Sequence, residues 1–156
     1  MSLEIERKFL VRATAVLNGL TGERMSQAYL GNSDVTVRVR MTREHAWLTI
    51  KGPTMGIARK EFEYAIPLQD AVELSSLATL PVIDKTRYRI PDGAHVFEVD
   101  VFHGANAPLV VAEVELSSVD EDFAHPPWLG AEISDDPRYR NSELAKRPYN
   151  TWQREA

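Results

Sequence analysis

The residues that could do chemistry are charged and recur two positions apart. Side chains on a strand alternate between its faces, so residues i and i+2 share one. By that rule Glu4, Glu6 and Lys8 stand together, as do Arg38 and Arg40, and Arg59, Glu61 and Glu63. Lys85 goes with Arg87, Glu98 with Asp100 and Glu113 with Glu115, while Lys51 stands alone on its segment. The opposite faces are apolar: Ile5 and Phe9, Val37 and Val39, Leu48 and Ile50, Phe62 and Tyr64, Phe97 and Val99, Ala112 and Val114. Arg7 breaks the pattern.

Taken singly, each pair reads as a solvated strand face, and opposite charges on neighbouring strands can satisfy one another. Taken together, they pose a problem of closure. If the strands form a barrel with these faces inward, desolvating each ion costs several kcal/mol, by order of magnitude. A hydrated chamber holding a polyanion and metal ions resolves the conflict. Bases would neutralise phosphate oxygens, and acids would bind hard divalent cations.

The elements that must position these residues are short. Candidate strands are Leu3 to Val11, Ser26 to Leu30, Thr36 to Met41, Trp47 to Lys51, Arg59 to Ile66, Lys85 to Ile90, Val96 to Phe102 and Val110 to Leu116. Turn chemistry separates them at Gly31-Asn32-Ser33-Asp34, Gly52-Pro53, Pro91-Asp92-Gly93 and Gly104-Ala105-Asn106. Eight such strands suggest an antiparallel barrel or sandwich. Leu68 to Leu80, bracketed by Pro67 and Pro81, suits an amphipathic helix packed on the outside. Ser118 to Ala124 is a candidate short helix stopped by Pro126-Pro127, and Asn141 to Lys146 another, with Asn141 as its cap.

Bulk properties narrow the classes. A length of 156 residues, 44% hydrophobic and 26% charged, fits one globular domain over residues 1–156. The net charge of −5 argues against nonspecific nucleic-acid binding, though it leaves room for a local basic pocket. With no cysteine, disulfides, thiolate nucleophiles and Cys-based zinc sites are excluded. The four histidines are scattered and lack the spacing of a histidine metal motif. No signal core follows Met1 and no apolar run approaches the length of a membrane helix, so a cytoplasmic protein with no membrane partner is expected. P-loop and dinucleotide signatures are absent, so phosphate binding must come from side chains.

The segment Glu4-Ile5-Glu6-Arg7-Lys8 matches the E-x-E-x-K opening of the CYTH domain, and the later elements follow in order. They are Val37-Arg38-Val39-Arg40, Leu48-Thr49-Ile50-Lys51-Gly52, Arg59-Lys60-Glu61-Phe62-Glu63, Lys85-Thr86-Arg87, Phe97-Glu98-Val99-Asp100 and Ala112-Glu113-Val114-Glu115. The stretch from Asp135 to Ala145 is similar to the closing segment of short bacterial members. The chain thus resembles the CYTH, or triphosphate tunnel metalloenzyme, family over nearly its whole length. The resemblance implies a mainly β fold: an eight-stranded antiparallel β-barrel tunnel with a few helices packed outside. It also implies Mg²⁺ or Mn²⁺ dependence and a triphosphate-containing substrate.

The resemblance also implies roles. Lys8, Arg38, Arg40, Lys51, Lys85 and Arg87 match the family's phosphate-binding bases; Arg59 joins them or orients the neighbouring carboxylates. Glu4, Glu6, Glu61, Glu63, Glu113 and Glu115 match its acids, with Glu4, Glu61 and Glu115 as preferred ligands of a metal that bridges phosphate oxygens. Glu98 and Asp100 are further partners. Lys8, Tyr29 and Lys85 are the candidates for catalytic contact. Alternation puts Tyr29 on the face of Gln27, where its phenol can orient Lys8, touch a terminal phosphate or simply pack. The leading expectation is inorganic tripolyphosphate hydrolysis. Class IV adenylate cyclase, thiamine triphosphatase and a non-catalytic polyphosphate-binding module are the alternatives. The apolar outer faces call for helical cover, a homodimer, or both.

Overall fold

A computed structural model describes residues 2–152. Its strands are β1 (Leu3–Val11), β2 (Glu23–Asn32), β3 (Thr36–Met41), β4 (Ala46–Lys51), β5 (Ala58–Ile66), β6 (Ile83–Asp92), β7 (His95–Phe102), β8 (Val110–Glu115) and β9 (Leu129–Glu132). Three helices accompany them: α1 (Leu68–Ser75), α2 (Asn141–Lys146) and α3 (Tyr149–Trp152). Strands β1 to β8 pair antiparallel in the cyclic order β1, β5, β4, β3, β2, β6, β7, β8. The pairing of β1 with β5, from Leu3 opposite Lys60 to Ile5 opposite Ala58, closes the barrel. Each of these eight strands thus has a neighbour on both edges, although β5 meets β1 only over its first three residues.

One edge of β1 runs along β8 from Glu6 to Leu10. The other edge is divided, with β5 on its first residues and β9 on Phe9 and Val11. The alternation rule does not reveal β9, which has only four residues. Its Gly130 is required by a close approach: a Cβ there would lie 2.8 Å from the Leu10 carbonyl oxygen.

The apolar side chains form three clusters. Outside β1, β7 and β8, Ile5, Phe9, Phe97, Val99, Ala112 and Val114 are covered by the segment carrying Phe123 and Trp128. Outside β2, β3 and β4, Val39 and Ala46 pack against Ala71, Leu68 and Leu74 of α1. The third cluster lies inside the barrel at one end. It joins Tyr29, Ile83, Phe102 and Val111 to Ile133 and to Leu144 and Ala145 of α2. So α2 stoppers the barrel while the remaining interior carries charge. Phe62 and Tyr64 on the outer face of β5 stay exposed.

Several expectations need correction. Helix α1 ends at Ser75 rather than Leu80, and Leu80 packs instead beside the interior cluster. Residues Ser118 to Ala124 are not helical. There the Ser118 hydroxyl bonds Asp120 and the Glu121 carboxylate accepts from the Ser117 N–H and meets His95, local bonds that compete with a helical backbone. Asn141 is not a cap but the first residue of α2, because its amide oxygen is engaged by Lys85 and Gln27. Arg7, the exception on the outer face, bonds Glu132 of β9 at 2.8 Å.

The stopper predicts a stability effect. Leu144 is fully buried, so Leu144→Ala should cost about 3 kcal/mol through lost burial and a residual cavity. Urea denaturation should show a lower midpoint at an unchanged slope; a loss below about 1 kcal/mol would mean that α2 is not anchored there.

Candidate active site

The charged segments alternate with β-branched or aromatic residues that bind the outer clusters, and this burial forces the charged residues inward. Glu4, Glu6 and Lys8 of β1 project into one cavity of about 370 Å³. Arg38 and Arg40 of β3, Lys51 of β4 and Arg59, Glu61 and Glu63 of β5 line the same space. Tyr29 of β2, Lys85 and Arg87 of β6, and Glu113 and Glu115 of β8 complete it. The candidate phosphate-binding, metal-binding and catalytic residues named from the sequence therefore lie on one cavity, and of their two further partners Glu98 lines it while Asp100 is buried against Arg87 and Lys85.

The charges are not evenly mixed. Acids dominate β1, β5 and β8, and bases dominate β3 and β6. Some ion pairs cross the divide. Lys51 Nζ lies 3.0 Å from Glu4 and 3.3 Å from Glu61, and Lys8 Nζ lies 3.7 Å from Glu113. Arg38 reaches Glu63 at 3.4 Å and the Thr49 hydroxyl at 3.1 Å. The best-paired group is Asp100, 1% exposed, which accepts two bonds from Arg87 at 2.7 and 2.9 Å and lies 2.7 Å from Lys85 Nζ.

Each side remains short of opposite charge. Burial raises the Glu4 carboxyl, with Glu61 adding to it against Lys51. Burial also holds Glu6 well above the carboxylate range, reinforced by Glu113 and Glu4. Glu115 is raised by burial and by Glu4 and Glu98. Glu113 goes the other way: burial opposes ionisation, but Lys8, Arg87 and Lys85 outweigh it. Among the bases, burial pushes Arg40 down to about 10, with Arg38 and Arg87 adding repulsion. Burial pushes Lys85 down to about 7, with Arg87 and Arg40 assisting against Asp100. We take Asp100 itself as ionised, since Lys85 and Arg87 together outweigh its burial. Arg40 donates only to Gln27, at 2.9 Å, and pairs with no carboxylate among the described residues. Arg38 Nε is buried with no partner among them.

These observations test the expected ligands. An orphaned buried guanidinium nitrogen beside an unpaired Arg40 fits an anion with several acceptor oxygens. Crowded carboxylates with raised pKa values fit a hard divalent cation, which takes oxygen donors. Among the described residues no three carboxylates form a ready-made cation cage. A divalent cation here would therefore draw part of its oxygen shell from the phosphates of a bound polyanion.

Two of the alternatives offered for Arg59 and Tyr29 do not form among the described residues. Arg59 donates to the Gly52 carbonyl and the Thr36 hydroxyl rather than orienting Glu61 or Glu63. Tyr29 Oη accepts from Gln27, whereas Lys8 lies by Glu113 and the Tyr139 carbonyl. Sequence reasoning missed Gln27 and Asn141. Alternation placed Gln27 beside Tyr29 but gave no reason to weigh a neutral amide, and Asn141 looked like a helix cap.

The sequence matches the CYTH domain family over residues 2–149. It is 42% identical over 154 residues to an inorganic triphosphatase of Acetivibrio thermocellus, covering 97% of this chain and 99% of that one. It is 38% identical over 148 residues to an inorganic triphosphatase of Nitrosomonas europaea, covering 91% and 96%. The crystal structure of the inorganic triphosphatase NE1496 superposes with a TM-score of 0.65 at 33% identity, over 91% of this chain and 93% of that one. HpAC1 from Hippeastrum superposes with a TM-score of 0.59 at 13% identity, over 74% and 80%, a likeness of fold.

The local balance around Asp100 and the imbalance at Arg40 predict unequal costs. Asp100→Asn strips the counter-charge from two buried cations and should lose about 3 kcal/mol or more. Arg40→Met removes a half-buried, repelled cation but strands the buried Gln27 carbonyl it bonds, and should cost the ligand-free protein no more than about 1–2 kcal/mol. Denaturant midpoints of the two variants check this, and an equal loss in both would contradict the charge assignment.

Proposed function

The chain belongs to the CYTH domain family, and from that premise we propose that it hydrolyses inorganic tripolyphosphate in its charged lumen with the aid of Mg²⁺ or Mn²⁺. The observation that carries this reading is the pair of unbalanced charge pools facing each other across one cavity. A linear polyanion satisfies the bases, and its accompanying cation satisfies the acids. The named activity of two relatives matched over nearly their full lengths supports the same substrate. A cytoplasmic setting and action as a small-molecule enzyme, without nucleic acid or membrane, complete the proposal.

In this reading Arg38, Arg40, Lys85 and Arg87 bind phosphate oxygens and hold the chain extended. Arg38 Nε and Arg40, the least satisfied donors, take oxygens first. Fixed cations around a phosphoryl group also offset charge that develops during transfer, without reorganising at that moment. Glu4, Glu61 and Glu115 would hold the cation, with Glu6, Glu63 and Glu113 around them. The bound cation supplies Lewis-acid neutralisation of the phosphate charge. Lys8, held by Glu113 and the Tyr139 carbonyl, approaches the chain from the acidic side. Lys85, with a pKa pushed to about 7, can hold or release a proton at Nζ near neutral pH.

A substrate screen tests the proposal. Tripolyphosphate, pyrophosphate, long-chain polyphosphate, ATP and thiamine triphosphate are each incubated with Mg²⁺ or Mn²⁺. Phosphate release should be fastest from tripolyphosphate and should stop on chelation. Arg38→Ala and Glu115→Ala should each lower kcat/KM about 100-fold or more. Turnover by the unmodified protein no faster than by these variants would refute the activity. Cyclic AMP and pyrophosphate from ATP would redirect it to a cyclase.

A further inference from the structure

Donor and acceptor chemistry orients one hydrogen-bond chain at the floor of the cavity without ambiguity. A guanidinium only donates, so the Gln27 atom 2.9 Å from Arg40 Nε must be the carbonyl Oε1. The Gln27 amide nitrogen then points the other way and donates to Tyr29 Oη at 2.9 Å and to Asn141 Oδ1 at 3.2 Å. Asn141 Oδ1 also accepts from Lys85 Nζ at 2.9 Å. A single amide oxygen on α2 thus receives two donors, one from β6 and one from β2. With its oxygen claimed by Gln27, the Tyr29 phenol directs its proton elsewhere. Lys85 Nζ has three hydrogens when charged; Asn141 and Asp100 engage two, leaving one.

From this we infer that Asn141 is a positioning residue for the reaction: its amide oxygen fixes Lys85 directly and, through Gln27, fixes Arg40 and Tyr29. The inference rests on reading this cavity as the tripolyphosphate site. It also gives α2 a task beyond stoppering the barrel. Leu144 and Ala145 seat the helix in the apolar interior cluster, and Asn141, one turn earlier, passes that rigidity to three side chains that line the cavity. Gln27 is fully buried and so cannot exchange these partners for bulk water. Displacing a reacting or binding group by about 1 Å can cost on the order of 100-fold in rate, so a fixed anchor at this point has a catalytic consequence.

The groups facing Lys85 define the test. They are Asp100 and the Phe102 ring from β7, Arg87 from β6, Arg40 from β3, Glu113 from β8, Gln27 from β2 and Asn141 from α2. Lys85 can be followed by the NMR titration of its side-chain carbon next to Nζ, which needs no turnover. Asn141→Asp keeps the acceptor and adds a negative charge, so the Lys85 midpoint should rise by about one pH unit or more. Asn141→Leu removes the acceptor, so the midpoint should fall, and kcat for tripolyphosphate should drop about tenfold or more with a smaller change in KM. A merely structural asparagine would alter stability in both variants and leave the Lys85 midpoint and the pH dependence of kcat where they were; that result overturns the inference. If Asn141→Leu fails to fold, Asn141→Ala replaces it, with the same expected fall in the Lys85 midpoint and in kcat. If the unmodified protein releases no phosphate from tripolyphosphate, the functional reading fails, and the titrations still decide whether Asn141 sets Lys85.

Discussion

Strand alternation is the constraint on which the rest depends. Once Val39 is committed to the cluster under α1, Arg38 and Arg40 have nowhere to go but inward. Ile5 and Phe9 do the same to Glu4, Glu6 and Lys8. Outer burial at roughly 25 cal/mol per Å² drives ionisable groups into a space where they repel one another. The interior is therefore not a self-satisfied salt-bridge network. Lys51 and Asp100 mark where neutralisation succeeds; Arg40, Glu6 and the orphaned Arg38 Nε mark where it does not. A site of this kind sacrifices stability for affinity, a familiar tension where binding or chemistry is concentrated.

The interior has two regimes. Along β1 the inward residues run Glu4, Glu6, Lys8 and then Leu10, which packs beside the interior apolar cluster. Along β6 they run Arg87, Lys85 and then Ile83. The polarity of the lumen thus changes within the same strands, and α2 completes the dry end. The boundary falls at Tyr29, Gln27 and Asn141, where neutral polar groups separate charge from hydrocarbon. Such a layer lets Lys85 sit 1% exposed with two of its three donors matched by Asn141 and Asp100.

Much of this was legible in the sequence because a period of two needs no tertiary information. The strands carrying the charges were placed to within a few residues, and the candidate phosphate-binding, metal-binding and catalytic residues face the common cavity. What escaped detection lacks that period. β9 is four residues long and its register follows from packing beside β1. The stretch after Ser117 resembles a helix in composition but is held by the bonds of Glu121. Asn141 has one residue type and two meanings, cap or anchor, and only the position of Lys85, distant in sequence, selects between them. The pairing of Tyr29 was similarly hidden, since alternation sets its face but not its partner.

The divided edge of β1 has a consequence for how the chain acquires its shape. This strand is complete only when β5, β8 and β9 have all arrived, and its partners extend to Glu132. As the polypeptide emerges from a ribosome, β5 is available to β1 early, but β1 cannot be fully paired until β8 and then β9 have been made. Pairings so remote along the chain are slow to form, and a waiting edge is vulnerable to neighbours. The strand pairing that closes the barrel is thus complete only late in synthesis, and the edges of the nascent chain are most open just before it locks.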